Sequence, residues 1–514
     1  MSNKQDRFST ALAEERALPS SGRMLRGIQA TLQKIAGTMT DQQSLFELSN
    51  IDLMLSELSR REDVSYYAGY YGDMRSLLVE GLSLLRAGIS AEATTRIETE
   101  LEKVLPTLVE ANVSYEYLTL LINRTMRHLS VLVRPASDKA SPQVKKFLQR
   151  VVAAETGFHV HRAQHAASRQ KIITSEKPPL TAERLENYLR EREPDRTGLR
   201  VTSFRQLIGG YQKVTVMFET EDDTGCKDSL VLRCEKDDKF VALDASDIRR
   251  EFEIVQFLRA HDVPVAEPMW IEDDESKLGN RFFVSRRIIG ENQGEAVGSH
   301  GITDDIVRSY MEGVAKLHRI PHSDAMRKLA VGHWLDYATT QDNERANILY
   351  WRNQPWLKTF NPSPLTERVT AWLLDNIPQG DIPLGLIHCD YGPHNTLVHN
   401  GKLAGIVDWE SCRIGDPAED VSWLLQSCGG QVDYGKAIDA YEEFTGHRIS
   451  EYRLRYYDVF GCLKVMTSVG SVESMYEAHD EASVTWLTLS LRYGAFGTSE
   501  LEKRIAIAEA AKDK

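Results

Sequence analysis

A chain of 514 residues is too long for one compact core, so two or three domains are expected. Hydrophobic content of 42% beside 27% charged residues marks an ordinary globular protein. The net charge of -13, carried by the chain after residue 175, argues against nonspecific nucleic-acid binding, which needs a basic surface. No apolar run reaches the length of a membrane span, and the opening MSNKQDRFST has no signal-peptide core. Six scattered cysteines without a CxxC pair point to reduced thiols, and so to a cytoplasmic protein with no membrane partner.

LFELSNIDLMLSEL, SYEYLTLLINRTMRHLSVL and VKKFLQRVVAAETGFHVHRAQH repeat apolar residues at helical spacing. In the first of them these are Leu45, Leu48, Ile51, Leu53, Leu55 and Leu58. Residues 1–175 are therefore expected to form an all-helical domain, a bundle without a fixed-period repeat. His161 and His165 lie one helical turn apart, near His159, but no carboxylate or Cys stands at ligand spacing. Packed or solvated helix histidines are expected there rather than a metal site. TSEKPPLTAERL, with its two prolines, reads as the linker. Beyond it, VTSFRQLIGGYQKVTVMFETEDDTGCKDSLVLRCEKD breaks into β-prone runs separated by polar turns. DASDIRREFEIVQFLRAH returns to helix with Ile248, Phe252, Val255 and Leu258 on one face, and FFVSRRII is a further strand. From about residue 303 helices dominate, interrupted by a single stretch. The expected fold class is α+β, with a small antiparallel sheet lobe over 180–290 hinged to a helical lobe over 291–514.

The interrupting stretch is LIHCDYGPHNTLVHNGKLAGIVDWE, residues 386–410. Asn400-Gly401 is a strong hairpin signal. A two-residue turn pairs His399 with Lys402, and the resulting register predicts Asn395 opposite Ile406, with Asp408 two residues further at the same open end. Asp390 lies five residues before Asn395, in the loop entering the hairpin. Two carboxylates and an amide oxygen so converge, a hard-oxygen set that suits Mg²⁺, which completes its shell with water and phosphate. The spacing His388-x-Asp390-x4-Asn395, then Asp408, matches the catalytic loop and metal aspartate of kinases. The plain alternative is a hydrogen-bonded turn, in which Asp and Asn are common.

Two upstream features bear on that choice. Gly209 and Gly210, between strand-like runs, suit a backbone that closes over phosphates or a simple turn. Arg233 ends the strand SLVLR and Glu251 lies on the following helix, the kinase device for positioning α- and β-phosphates or else a surface ion pair. Their order along the chain favours the kinase reading: glycines, strand cation, helix acid, strand into hinge, then the Asp, Asn and Asp of 386–410.

With these residues in place, the chain from about 180 to 500 resembles the aminoglycoside phosphotransferase/choline kinase-like superfamily. That implies a protein-kinase-like bilobal domain, here preceded by the helical one. REFEIVQFLRAHDVPVAEPMWIEDDESKLGNRFFVSRRIIGE and IVDWESCRIGDPAEDVSWLL are most similar to the branch containing the kinase domains of acyl-CoA dehydrogenase family members that phosphorylate 4-hydroxyacyl-CoA. Asp-Trp-Glu stands where protein kinases have Asp-Phe-Gly. The resemblance implies ATP and Mg²⁺ as cofactors, Asp390 as catalytic base, and Asn395 and Asp408 as magnesium ligands, with Glu410 assisting the metal or its waters. It implies Arg233 as the nucleotide-phosphate cation, Glu251 as its partner, Gly209 and Gly210 as the phosphate loop, and Ser285, Arg286, Arg287 and Ile288 as the adenine hinge, acting through backbone groups. Asp416 and Asp420, in GDPAED, are read as structural, an Asp before Pro capping the next helix. Two positions depart from the pattern. Cys389 replaces the Gly of the usual His-Gly-Asp and is read as a small buried hydrophobe, and Arg233 offers a planar fork where Lys would offer a point charge.

The expected function is ATP- and Mg²⁺-dependent phosphoryl transfer to an alcohol group of a small molecule. The acceptor is placed in the helical lobe against 330–365, where YWRNQPWLKTF offers Tyr350, Trp351, Arg352 and Trp356. A hydroxyacyl-CoA or related catabolic intermediate is the first acceptor class. An aminoglycoside-type antibiotic kinase and a nucleotide-binding pseudokinase or adaptor stay open as alternatives. For the helical N-terminal domain a homodimer contact, a partner enzyme and a cover for the acceptor cleft all stay open.

Overall fold

The computed structural model describes residues 64–102, 115–136, 141–163, 180–207, 213–235, 247–294, 299–321, 339–353, 363–380, 382–478 and 500–512, with a few single positions besides. The chain divides into two compact units, Met1–Ile173 with Asn361–Pro364 and Glu473–Ala495, and Thr174–Phe360 with Leu365–Val472 and Phe496–Lys514.

In the first unit α1 (Val64–Leu85), α2 (Ala91–Glu102), α3 (Tyr115–Val133) and α4 (Pro142–Ala163) are described. Ser90 and Ser141 stand just before α2 and α4, their hydroxyls accepting from the amides of Ala93 and Val144 at 3.1 Å each. Apolar residues at helical spacing bury Tyr67, Met74, Leu78, Leu129, Phe147 and Val151 in one core. Gly81 permits the close approach of α1 and α4, because a Cβ there would meet the Phe147 ring at 2.5 Å. The stretch 45–58 lies almost wholly outside the described residues, as do His165 and the side chain of His161.

The second unit opens with a helix whose first turn falls within TSEKPPLTAERL, the stretch expected to be the linker. Thr181 accepts from the Arg184 amide at 3.2 Å and starts α5 (Ala182–Arg192), which buries Leu185, Tyr188 and Leu189. The helix is short and strongly charged, so three apolar residues carry all of its periodic signal.

β1 (Arg200–Gln206), β2 (Lys213–Glu221), β3 (Lys227–Glu235), β4 (Pro268–Glu272) and β5 (Phe282–Arg286) form an antiparallel sheet in the order β1-β2-β3-β5-β4. β4 escaped the sequence reading. It is a five-residue edge strand with an irregular register, and its Pro268 sits at the first position, where a missing amide costs the ladder nothing. Side-chain alternation splits the sheet. Val216, Phe218, Leu230 and Leu232 pack with α5, whereas Phe283 turns to the opposite side against Ile248 and Phe252 of α6 (Ile248–Arg259). Asp247 caps α6 by accepting from the amides of Arg249 and Arg250.

The helical lobe follows with α7 (Asp304–His318), α8 (Thr340–Arg352), α9 (Pro364–Asp375), α10 (Ala418–Ser427), α11 (Tyr434–Thr445), α12 (Glu451–Ala478) and α13 (Leu501–Ala511). Two small antiparallel pairs interrupt it: β6 (Gly385–Ile387) with β9 (Arg413–Gly415), and β7 (Thr396–His399) with β8 (Lys402–Ile406). The fold of this unit is α+β and protein-kinase-like. Among the described residues no helix is long and apolar enough to cross a membrane. All six cysteines are free thiols, five of them buried.

Candidate active site

The hairpin forms at the expected turn, with Asn400 at φ 50° and Gly401 at φ 74°, left-handed at both central positions as a type I′ turn requires. His399 pairs with Lys402 and Val398 with Leu403, but a bulge then shifts the ladder, so that Leu397 pairs with Gly405 and Thr396 with Ile406. The expected pairing of Asn395 with Ile406 is therefore displaced by one. The Asn395 carbonyl accepts from the Val407 amide at 2.9 Å, directly before Asp408. Turn chemistry fixes only the first pairs of a hairpin. Further along, Ile288 lies over Gly405, where a Cβ would meet its Cδ1 at 2.3 Å, and the bulge takes up the extra residue.

The loop entering the hairpin is held from three sides. His388 Nδ1 accepts from the Asp390 amide at 3.2 Å, so its Nε2 carries the proton and donates to the Val407 carbonyl at 3.0 Å. Asp420, wholly buried, accepts from the amides of His388 and Cys389 at 2.7 Å each and lies 3.1 Å from His318 Nε2. Lys464 donates to the Cys389 carbonyl and to Glu419. Cys389 is buried at φ 69°, a conformation that explains why Gly suits this position. Burial pushes its thiol well up, in keeping with a small buried hydrophobe. Asp390 Oδ1 accepts from the Trp423 indole at 2.8 Å and sits 3.3 Å from His394 Nε2, while Oδ2 accepts from the Asn395 side-chain amide at 2.8 Å. Burial alone would raise the Asp390 carboxyl, but His394, Lys464 and His388 outweigh it and hold the group at about 2.

Across the cleft, Arg233 at the end of β3 lies 3.0 Å from Glu251 of α6 and donates to Asp408 at 2.8 Å. Glu251 is 1% exposed, and burial raises its carboxyl despite Arg233. Glu410 is pushed up to about 8 by burial and then by Asp408. Arg250 donates to the carbonyls of Glu410 and Cys412 at 3.0 and 2.6 Å, which ties α6 to the Asp-Trp-Glu segment. Asn395 turns its amide nitrogen to Asp390, leaving its oxygen directed away from that carboxylate. That oxygen, with Asp408 and Glu410, is a hard donor set of the kind magnesium takes.

The expected hinge runs through β5. Ser285 is buried and pairs with Val231. Arg286 forms ion pairs with Asp228 and Glu267 at 3.0 and 2.9 Å, and Arg287 lies 3.9 Å from Glu219. Ile288 rests on Gly405. Gly209 and Gly210 lie outside the described residues. The structure so brings Asp390, Asn395, Asp408, Arg233 and Glu251 into one cleft. Among the described residues no group of three or more His, Cys, Asp or Glu is arranged to hold a metal ion.

The span that builds this cleft, residues 203–456, matches the model of the phosphotransferase enzyme family, APH. These residues are an APH-family phosphotransferase domain. Acyl-CoA dehydrogenase family member 11 of Mus musculus is 27% identical over 192 residues, covering 35% of this chain and 23% of that protein. The Homo sapiens protein of the same name is 25% identical over 183 residues, with coverages of 35% and 23%. The chain thus spans about a quarter of the length of these relatives. Among solved structures, one from Ralstonia eutropha JMP134, provisionally described as an aminoglycoside phosphotransferase, matches with TM-score 0.47 and 19% identity over 65% of this chain and 99% of that one. A macrolide 2'-phosphotransferase from Brachybacterium faecium matches with TM-score 0.44 and 19% identity, over 63% and 98%.

Several residues of the APH domain's cleft were not legible as such. Asp416 does what was expected of it, accepting from the Ala418 amide at 2.9 Å at the start of α10. Asp420 does not cap. It lies in the first turn of α10 and reaches back to the 388–389 backbone. The sequence shows only an acid near a helix start, and its partner is thirty residues upstream. Trp423, one turn on, reads as a core aromatic, yet its indole meets Asp390.

α8 turns a polar face inward. Thr340, Asn343, Glu344 and Asn347 are all buried. Among the described residues, both polar atoms of the Asn347 side chain and the Asn343 amide nitrogen have no hydrogen-bond partner, while the buried Glu344 carboxyl faces Tyr457. Trp351, on the same helix, and Trp423 flank the Lys464 ammonium at 5.9 and 5.2 Å from the ring centroids. Arg352 is taken up by Glu367, and Trp356 lies outside the described residues.

Burial raises Glu344 from 4.5 to about 7. Between those values the folded chain holds a proton that the unfolded chain has lost, so Glu344 erodes stability as pH rises through that window. Glu344→Gln is expected to gain little over wild type at pH 5 and about 2 kcal/mol at pH 8, read from paired urea melts. Equal effects at both pH values would refute it.

Proposed function

We propose that this chain is an ATP- and Mg²⁺-dependent kinase that phosphorylates an alcohol group of a small molecule. The observation that carries the reading is the convergence of Asp390, Asn395 and Asp408 on one cleft with the Arg233–Glu251 pair above it. Asp390 takes the proton of the acceptor hydroxyl, its carboxylate plane fixed by Trp423 and Asn395. Arg233 draws the nucleotide phosphates into line, and Glu251 keeps its guanidinium aimed. Asn395 and Asp408, helped by Glu410, hold magnesium, which neutralises charge on the phosphates when bound. The backbone of 285–288 receives the base of the nucleotide. Residues 180–290 and 291–514 act as the two lobes. Phosphoryl transfer needs chiefly positioning and charge neutralisation, and these groups supply both.

The acceptor lies against α8. Trp351 stands beside the Lys464 that holds the base loop, and the buried Asn347 and Glu344 follow on the same helical face, the Asn347 amide without a partner among the described residues. A hydroxyacyl-CoA is the first acceptor class, supported by the likeness to the acyl-CoA dehydrogenase family members. The test is ATP turnover with Mg²⁺ against a hydroxyacyl-CoA panel and an aminoglycoside panel. Transfer to a hydroxyacyl-CoA is expected. Transfer to aminoglycosides alone would replace the acceptor class, and ATP binding without transfer to any acceptor would favour an adaptor.

A further inference from the structure

A carboxylate offers about four lone-pair positions, and in Asp390 three of them are taken. Oδ1 accepts from the Trp423 indole at 2.8 Å and faces His394 Nε2 at 3.3 Å, while Oδ2 accepts from the Asn395 side-chain amide at 2.8 Å. An ionised carboxylate has no proton to give, so His394 Nε2 is the donor in its contact. The other ring nitrogen, Nδ1, is buried and has no hydrogen-bond partner among the described residues. The hydrogen bonding of this ring is therefore spent on Asp390, and Asp408 adds an electrostatic attraction.

The chain makes room for the ring. Pro393 opens a single turn of 3₁₀ helix, Pro393–Asn395, that carries His394 in its middle. A Cβ at Gly392 would meet the His394 ring atoms Cε1 and Nδ1 at 2.7 and 2.8 Å, so only Gly lets the ring fold back over its own loop. The His394 side chain is 14% exposed, whereas that of Asp390 is 40% exposed and open to an acceptor.

We propose that His394 is a positioning residue of phosphoryl transfer: with Trp423 it occupies Oδ1 of Asp390 and leaves Oδ2 as the oxygen that takes the acceptor proton. This rests on the kinase reading above. Three donors around one carboxylate fix its plane. They also make its oxygens unequal. Oδ1 shares its charge with two donors, so Oδ2, with one lone pair free, is the better proton acceptor. In the step itself the acceptor oxygen bonds to the γ-phosphorus and its proton passes to Oδ2. The bond from the γ-phosphorus to the bridging oxygen breaks, and ADP leaves.

The test follows transfer from ATP with Mg²⁺ to the hydroxyacyl-CoA or aminoglycoside that the wild-type chain turns over fastest, with rates scaled to the folded fraction from urea melts. His394→Phe keeps a ring and removes the donor. It is expected to lower kcat by about tenfold to a hundredfold and leave KM for ATP within about threefold. Gln carries an amide nitrogen at the reach of Nε2, so His394→Gln should bring kcat back to within about fivefold of wild type. In an Asp390→Asn background, His394→Phe should change the residual rate by less than about twofold, because the carboxylate it acts through is gone. Equal losses in both backgrounds would make His394 a prop of the loop and overturn the role. So would a His394→Gln variant as slow as His394→Phe, or a His394→Phe variant at the wild-type rate. A wild-type chain that transfers phosphate to no acceptor overturns the kinase reading, and this role with it.

Discussion

Asp390→Asn is expected to lower kcat by about a thousandfold while the ATP affinity stays within about twofold. The substitution keeps the shape of the side chain and removes the carboxylate proposed as the base. It also disturbs the groups around it, because an amide has one acceptor oxygen where the carboxylate has two. Asp390 now receives the Trp423 indole on Oδ1 and the Asn395 amide on Oδ2, and the variant can satisfy only one of them. The carboxyl of Asp390 is held at about 2, so it is ionised throughout the range in which the protein is assayed. A fall in kcat/KM between pH 8 and pH 5 therefore has another source than this group. The sign for stability follows from the same shift. A carboxylate with a lowered folded-state value adds stability above the unfolded value near 4 and loses it as the pH drops through about 2. Single-turnover transfer with the acceptor identified from the panels checks the prediction. A variant retaining more than about a tenth of wild-type kcat removes Asp390 from the role of base.

What could be read from the sequence divides by how local the cause is. Asn400-Gly401 fixes its own backbone, so the turn and the first two pairs came out as expected. The bulge did not, because the turn sets only the first pairs, and beside it Gly405 packs against Ile288 from more than a hundred residues away. Arg233 and Glu251 were legible as a pair through their order along the chain, and they stand 3.0 Å apart. That Asp408 would share Arg233 was not, since a strand end and a hairpin end meet only when the two lobes face each other. α5 was lost for a different reason. Its apolar face is three residues long, and two prolines just before it pulled the reading toward a linker. Cys389 is the odd residue of the loop, and the structure gives it a backbone reason. At φ 69° the position suits Gly, and a small buried side chain is tolerated while Asp420 and Lys464 hold the backbone amide and carbonyl. The polar face of α8 contradicts helix patterning outright. A sequence reader looking for apolar periodicity over 340–352 finds Asn343, Glu344 and Asn347 where core residues should be, which is the pattern of a face kept for something other than packing.

Asp420→Ala is expected to cost about 3–5 kcal/mol of stability at pH 7. The carboxylate is wholly buried and accepts from two consecutive backbone amides, and His318 faces it at 3.1 Å. Alanine leaves those amides without a partner in a place water does not reach, and the full desolvation cost of each is then felt. Asp420→Asn is the milder change, since its oxygen can keep one amide while its nitrogen faces the other donor. The pH dependence separates this account from a loss of packing. Burial raises the carboxyl, but His318 and the backbone amides prevail and hold it below its usual value. Its stabilising effect is therefore present above about pH 4 and disappears as the pH falls through the folded value. The gap between wild type and Asp420→Ala in urea melts should shrink between pH 7 and pH 3, whereas a packing defect would persist. Hydrogen exchange at His388 and Cys389 supplies the local readout. If their protection in Asp420→Ala falls only as much as that of the whole unit, Asp420 merely stabilises the fold. A selective loss there means that it holds the loop in the conformation that presents Asp390, and kcat should then fall further than the fraction unfolded explains.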